Sequence, residues 1–173
     1  PESYGSLIFG PDELDSFKGC NTISRNNPRY RQNTEGFSMI NQERLVSTFC
    51  ELVQIDSPSG EEENLAIYLE KRLETLGLSV GRDAYGNLVA TDNGTNPLLL
   101  SAHMDTVEPG RGIKPSVEGE RIVSDGTTIL GGDCKAGVAA ILEAVESVLE
   151  DGIPHGSIEI ALTREEEIGL VGA

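Results

Sequence analysis

The chain has 173 residues and a formal net charge of -16, with 29 Asp and Glu against 13 Lys and Arg, 38% hydrophobic residues, 5% aromatics and no Trp. That length suits one domain able to bury about two-thirds of its unfolded surface. The acidic balance argues against nucleic acid and anionic membranes as partners, because both are bound through clustered Lys and Arg. No apolar run approaches the ~18 residues of a membrane span, and the start lacks the charged-then-apolar pattern of a signal peptide, so a cytoplasmic location is expected. Cys20, Cys50 and Cys134 are widely spaced with no C-x-x-C pair and read as reduced thiols.

Residues 1–38 hold 4 basic and 5 acidic side chains and the remainder 9 and 24, so nearly all the excess acid lies after Met39. The first 38 residues concentrate turn formers, as in Gly10-Pro11, Gly19 and Asn26-Asn27-Pro28, and sustain neither a helical nor a strand period. They read as a poorly structured tail, with folding sequence over 39–173.

From Ile40 onward the pattern is regular. Leu45, Phe49, Leu52 and Val53 follow helical spacing, and the breaker-rich loop Asp56-Ser57-Pro58-Ser59-Gly60 ends that helix. Ser59 with Glu62 three residues on has the form of a capping box, and Glu61 to Glu63 read as a solvated first turn. The second helix runs to Gly77 and buries Leu65, Leu69, Leu73 and Leu76. Strands are expected at Leu78–Val80, Leu88–Thr91 and Leu98–Ala102, bounded by Gly81, Gly86, Gly94 and Pro97. The continuously apolar Leu98-Leu99-Leu100 is expected inside the sheet with both faces covered. A long helix opens at Gly131-Gly132-Asp133, carries the stripe Val138, Ile141, Leu142, Val145 and Leu149, and stops at Gly152 and Pro154. Ser157 to Thr163 alternates, with Ile158, Ile160 and Leu162 on one face.

Three loops at the ends of these elements carry His103 and Asp105, then Asp133, then Glu165-Glu166-Glu167. Strand ends are where open α/β sheets gather ligand and catalytic groups. Imidazole plus carboxylates suits zinc or manganese, and a surplus Glu beside the ligands can take the proton from an attacking water. Each feature alone has a plainer reading: a packed His-x-Asp pair, a helix N-cap at Asp133, a solvated strand exit at the Glu triplet. Their order and their glycine-rich surroundings favour the chemical one.

These residues carry a resemblance. His103-Met104-Asp105-Thr106-Val107, Gly131-Gly132-Asp133-Cys134-Lys135-Ala136-Gly137 and Thr163-Arg164-Glu165-Glu166-Glu167-Ile168-Gly169 resemble, in order, the motifs of the M20 family of dinuclear zinc peptidases. Glu108-Pro109-Gly110 and Ser124 to Leu130 point to its peptidase T-like (tripeptide aminopeptidase-like) branch. The likeness spans Ile40 to Ala173. It implies an α/β fold with a mixed, mostly parallel sheet flanked by helices, as in zinc-exopeptidase-like catalytic domains.

By position, the resemblance implies that His103 is a terminal ligand of one zinc, Asp133 the carboxylate bridging both and Glu167 the ligand of the other. Asp105 orients His103 and Glu166 is the general base. A shift of one residue would make Glu165 the base, but Thr163 and Gly169 anchor the frame on Glu166. Two residues depart from the family pattern: Cys134 stands where many relatives have a second Asp and reads as a small packed residue, and Glu165 replaces a common Asp. Family members continue past Ala173 with another carboxylate, another His and a lid or dimerisation domain. His155, in a Pro-His-Gly turn, matches no ligand motif. The resemblance therefore implies the N-terminal part of a catalytic domain, incomplete at its C-terminus. It also implies two Zn2+ in a complete site, with Mn2+ or Co2+ as substitutes, a small peptide substrate and a homodimer for the full-length protein. An M20 deacylase or carboxypeptidase acting on N-acyl amino acids, and a metal-binding but inactive segment, are the alternatives.

Overall fold

The computed structural model describes residues 7–8, 40–152 and 154–173. Helix α1 (Gln42–Val53) starts where Asn41 accepts the N–H of Arg44 at 3.0 Å, and it buries Thr48, Phe49, Leu52 and Val53. Helix α2 (Glu63–Thr75) buries Leu65, Ala66, Leu69 and Leu73. Gly77 stops it at φ +84, a left-handed position glycine takes without strain, and the Leu78 N–H closes on the Leu73 carbonyl at 3.2 Å. Leu76, expected within this helix, is its C-cap and is half-buried.

The main sheet holds β2 (Ser79–Arg82), β3 (Leu88–Thr91), β4 (Leu98–His103) and β7 (Ile158–Thr163) in the order β2-β3-β7-β4. It is mixed and flanked by helices, as expected. Its parallel share is smaller than expected, because β2 and β3 form an antiparallel hairpin that also pairs antiparallel with β7. Among the described strands only β4 and β7 run parallel, from Leu98↔Ile158 to His103↔Thr163, joined through helix α3 (Gly132–Glu150). That single parallel pairing matters most for function, because it ends His103 and Thr163 side by side and sends both strand exits in the same direction.

Alternation in β7 places Ile158, Ile160 and Leu162 in one buried core with Leu88 and Ala90 of β3 and with Leu52, Leu69, Leu73 and Leu142 of the helices. The covered Leu98-Leu99-Leu100 run needs correction: Leu98 and Leu99 are 64% and 57% exposed and Leu100 is half-buried. Among the described residues β4 is an edge strand bonded only to β7, so its first half lacks the cover that buries Ala102 and His103 beside α3. The α3 stripe holds at Val138, Leu142 and Val145, whereas Leu149 is exposed near the helix end.

A second, antiparallel sheet orders β1 (Leu7–Ile8), β6 (Arg121–Val123) and β5 (Ser116–Glu118) as β1-β6-β5. Polar side chains hide the β5–β6 hairpin from any apolar period. The sequence predicts no strand before Met39, yet Leu7 and Ile8 pair with Ile122 and Arg121. The rest of the proposed tail, with Met39 and Cys20, lies outside the described residues. None of the described helices is long and apolar enough to cross a membrane.

Candidate metal centre

Three element ends converge. His103 closes β4, and the ladder extends one step beyond it through the Met104 N–H to the Thr163 carbonyl at 2.8 Å. Asp105 follows, fully buried. Asp133 sits in the first turn of α3, where it and Cys134 depart from helical φ/ψ and the peptide bond between them is cis. The Glu triplet follows β7.

The backbone leaving β7 has no ladder to bond to, and side chains from three other segments take its place. Arg164 N–H donates to Asn87 Oδ1 (2.9 Å), Glu165 N–H to Glu62 Oε1 (3.1 Å), Glu166 N–H to Asp105 Oδ1 (3.0 Å) and Glu167 N–H to Asp105 Oδ2 (3.1 Å). Asp105 Oδ2 also accepts the Ser59 hydroxyl at 2.6 Å. Burial alone would raise the Asp105 carboxyl, but the Ser59 hydroxyl, the Glu167 and Glu166 N–H groups and His103 hold it below the usual carboxylate range. Asp105 is therefore a fixed anion.

That anion orients the imidazole. His103 Nδ1 lies 3.2 Å from Asp105 Oδ1 and 3.0 Å from the Asp105 carbonyl oxygen. Both partners only accept, which assigns the proton to Nδ1. Nε2 then faces Asp133 Oδ1 at 3.1 Å and Glu166 Oε2 at 3.8 Å. In the neutral ring these are lone pairs aimed at lone pairs, so a cation is required among them, either a second proton on the ring or a metal ion. The titration directions agree. Although burial works the other way, Asp133, Asp105 and Glu166 raise His103 above its ordinary value. Burial, with Asp133, Glu166 and Asp105 nearby, raises Glu167 despite His103.

The donor chemistry fits a divalent ion. Two three-donor groups share His103: His103, Asp133 and Cys134, and His103, Glu166 and Glu167, the donor atoms of each group lying within 4.8 Å of one another. Asp133, with its side chain 86% exposed, offers a carboxylate open to solvent and substrate. Cys134 is half-buried. Its Sγ occupies space that a Cβ on Gly137 would meet at 2.8 Å, so the glycine makes room for the thiol. His155 stays in its exposed turn, outside both groups.

The sequence profile described as "Peptidase family M20/M25/M40" matches residues 99–173, the stretch that carries all three motifs. The chain is 44% identical over 146 residues to protein YqjE of Bacillus subtilis, covering 78% of this chain and 39% of that one. Among solved structures it resembles aminopeptidase PepT of Bacillus cereus, with 48% identity and TM-score 0.74 over 78% of this chain and 39% of that one. It also resembles a tripeptidase of Staphylococcus aureus, with 46% identity and TM-score 0.73 over 76% and 38%. Residues 99–173 match peptidase family M20. The chain spans about two-fifths of the length of these relatives.

The fold brings together all five residues singled out from sequence: His103, Asp105, Asp133, Glu166 and Glu167. It also recruits residues that sequence reasoning misread or missed. Ser59 and Glu62 do not form a capping box. Ser59 turns to Asp105, and Glu62 is wholly buried against Arg164 and the Gly60 and Glu165 N–H groups. A signal existed, because the α2 stripe Leu65, Ala66, Leu69 extended back one turn lands on Glu62. Lys135 is similar. It precedes Val138, Ala139 and Leu142 on their buried face, its ammonium donates to the Ile55 carbonyl at 2.7 Å, and burial pushes its pKa down to about 8 against the pull of Asp56. Ser57, also buried, donates to the Met104 carbonyl at 2.9 Å. The α1–α2 loop is thereby stitched to both the β4 exit and the start of α3.

Proposed function

We propose that this chain carries the metal-binding core of a site that hydrolyses peptide bonds, acting as an aminopeptidase on short peptides such as tripeptides, with two zinc ions and a Glu general base. The carrying observation is that His103 Nε2 faces Asp133 Oδ1 at 3.1 Å and Glu166 Oε2 at 3.8 Å, with Glu167 completing one of the two donor groups that share His103. The names of the Bacillus cereus aminopeptidase and the Staphylococcus aureus tripeptidase support the substrate class.

In this reading His103, Asp133 and Glu167 hold the zinc, which when bound supplies Lewis acidity toward water and the scissile carbonyl. Glu166, at the rim with a third of its side chain open, takes the proton of the attacking water and returns it to the leaving amine. Asp105 keeps the His103 proton on Nδ1, so that Nε2 presents its lone pair. Glu167, bonded to Asp105 through its backbone, stays on the same side as His103.

The test is zinc titration combined with hydrolysis of a tripeptide and of an N-acyl amino acid. Glu166→Gln should retain zinc and lose turnover, and undiminished turnover would overturn the base assignment. Faster cleavage of the acylated amino acid would favour a deacylase. Three donors are few for two ions that each prefer four, so zinc uptake without turnover by these 173 residues would favour a binding segment.

A further inference from the structure

We infer that Glu62 is the positioning residue for the Glu166–Glu167 pair, holding the β7 exit on the backbone path that turns both carboxylates toward His103. This rests on the metal-site reading above.

Glu62 precedes α2 and is fully buried, whereas Glu61 and Glu63 on either side are exposed and pair with Arg111 and Arg82. A buried carboxylate is tolerated only when its acceptor directions are met. Three hydrogen bonds and an ion pair meet this one: the Gly60 N–H at 2.9 Å and the Glu165 N–H at 3.1 Å on Oε1, Arg164 Nε at 3.0 Å on Oε2, and the Arg164 guanidinium paired with Oε2 through Nη2 at 2.9 Å. They come from only two places, the α1–α2 loop and the β7 exit, so the carboxylate joins those two segments.

The joint is needed at this point in the chain. Glu165 has φ +54, a left-handed conformation that a non-glycine residue keeps only when its surroundings hold it. Of the three residues accepting N–H groups from 164–167, Asn87 reaches only Arg164, and Asp105 begins at Glu166. Among the described residues Glu62 alone grips both the Arg164 side chain and the Glu165 backbone, immediately before the proposed base and ligand. Ser59, three residues earlier, holds Asp105, so one short stretch fixes both halves of the site.

The test compares the whole chain as wild type, Glu62→Ala, Glu62→Gln, Arg164→Met and the exposed control Glu63→Gln by amide hydrogen exchange and zinc titration calorimetry. In Glu62→Ala the 165–167 amides should exchange about tenfold faster or more, with the α1 and α3 amides unchanged. Zinc affinity should fall about 10- to 100-fold. Glu62→Gln, which keeps an acceptor oxygen for the Glu165 N–H, should lie between the two, and Glu63→Gln should match wild type. Unchanged exchange at 165–167, or a rise only in step with the helices, would overturn the inference. If Glu62→Ala does not fold, Arg164→Met decides by the same comparison, since that side chain is 21% exposed. If the wild type takes up no zinc, the metal reading falls and the exchange data still decide whether Glu62 holds the exit.

Discussion

Asp105 Oδ2 accepts the backbone N–H of Glu167 at 3.1 Å, so the carboxylate that orients His103 also fixes where Glu167 begins. One buried side chain thus couples two proposed ligands that lie 64 residues apart in the chain. Asp105→Asn keeps the shape but offers only one acceptor oxygen to the Ser59, Glu166 and Glu167 donors. The expected result is a loss of zinc affinity of about 10- to 100-fold, measured by calorimetry, with a smaller loss for Ser59→Ala. Equal affinities for Asp105→Asn and wild type would remove Asp105 from the site.

Zinc itself should stabilise the fold, because the converging acceptors repel one another without a cation. At free zinc about 100 times its dissociation constant, ligation adds about 2.7 kcal/mol, a rise of several degrees in Tm for a domain of this size. Differential scanning calorimetry with zinc and then with a chelator checks this. The rise should vanish in His103→Ala.

Stability should also depend on acid through Glu143, far from the metal site. Burial alone would raise this carboxyl, but the Arg44 guanidinium, the Ser147 hydroxyl and the Asn41 N–H hold it below its ordinary 4.5. A depressed carboxylate stabilises the fold fully above its unfolded value and loses that contribution as pH falls through the folded one. The Tm gap between wild type and Glu143→Gln should therefore be widest near neutrality and close below pH ~4.5. A gap independent of pH would contradict the pairing.

Gly77→Ala should destabilise the chain by about 1 to 2 kcal/mol in urea unfolding, although alanine is the better helix former. Nothing lies within 4 Å of the added methyl, so the cost is the φ of +84 and not a clash. A neutral or stabilising result would show that the α2 cap relaxes freely.

Local chemistry was enough to read α1, α2, α3, β3 and β7, because each has a stripe or alternation written in its own side chains. It also sufficed to single out His103, Asp105, Asp133, Glu166 and Glu167 as candidates that the fold brings together, because ordered motifs at element ends carry chemistry in their residue types. What depends on neighbours distant in sequence was out of reach. Leu98 and Leu99 look like interior residues until the strand order places β4 at an edge. Ser59 and Glu62 look like a helix cap until Asp105 and Arg164 arrive beside them, since a hydroxyl or a buried carboxylate takes whichever donor or acceptor the fold delivers. The sequence alone thus determined which groups are candidates for a metal site. Only the tertiary structure decided which side chains hold those groups in place, because that depends on bonds between segments some 45 to 100 residues apart.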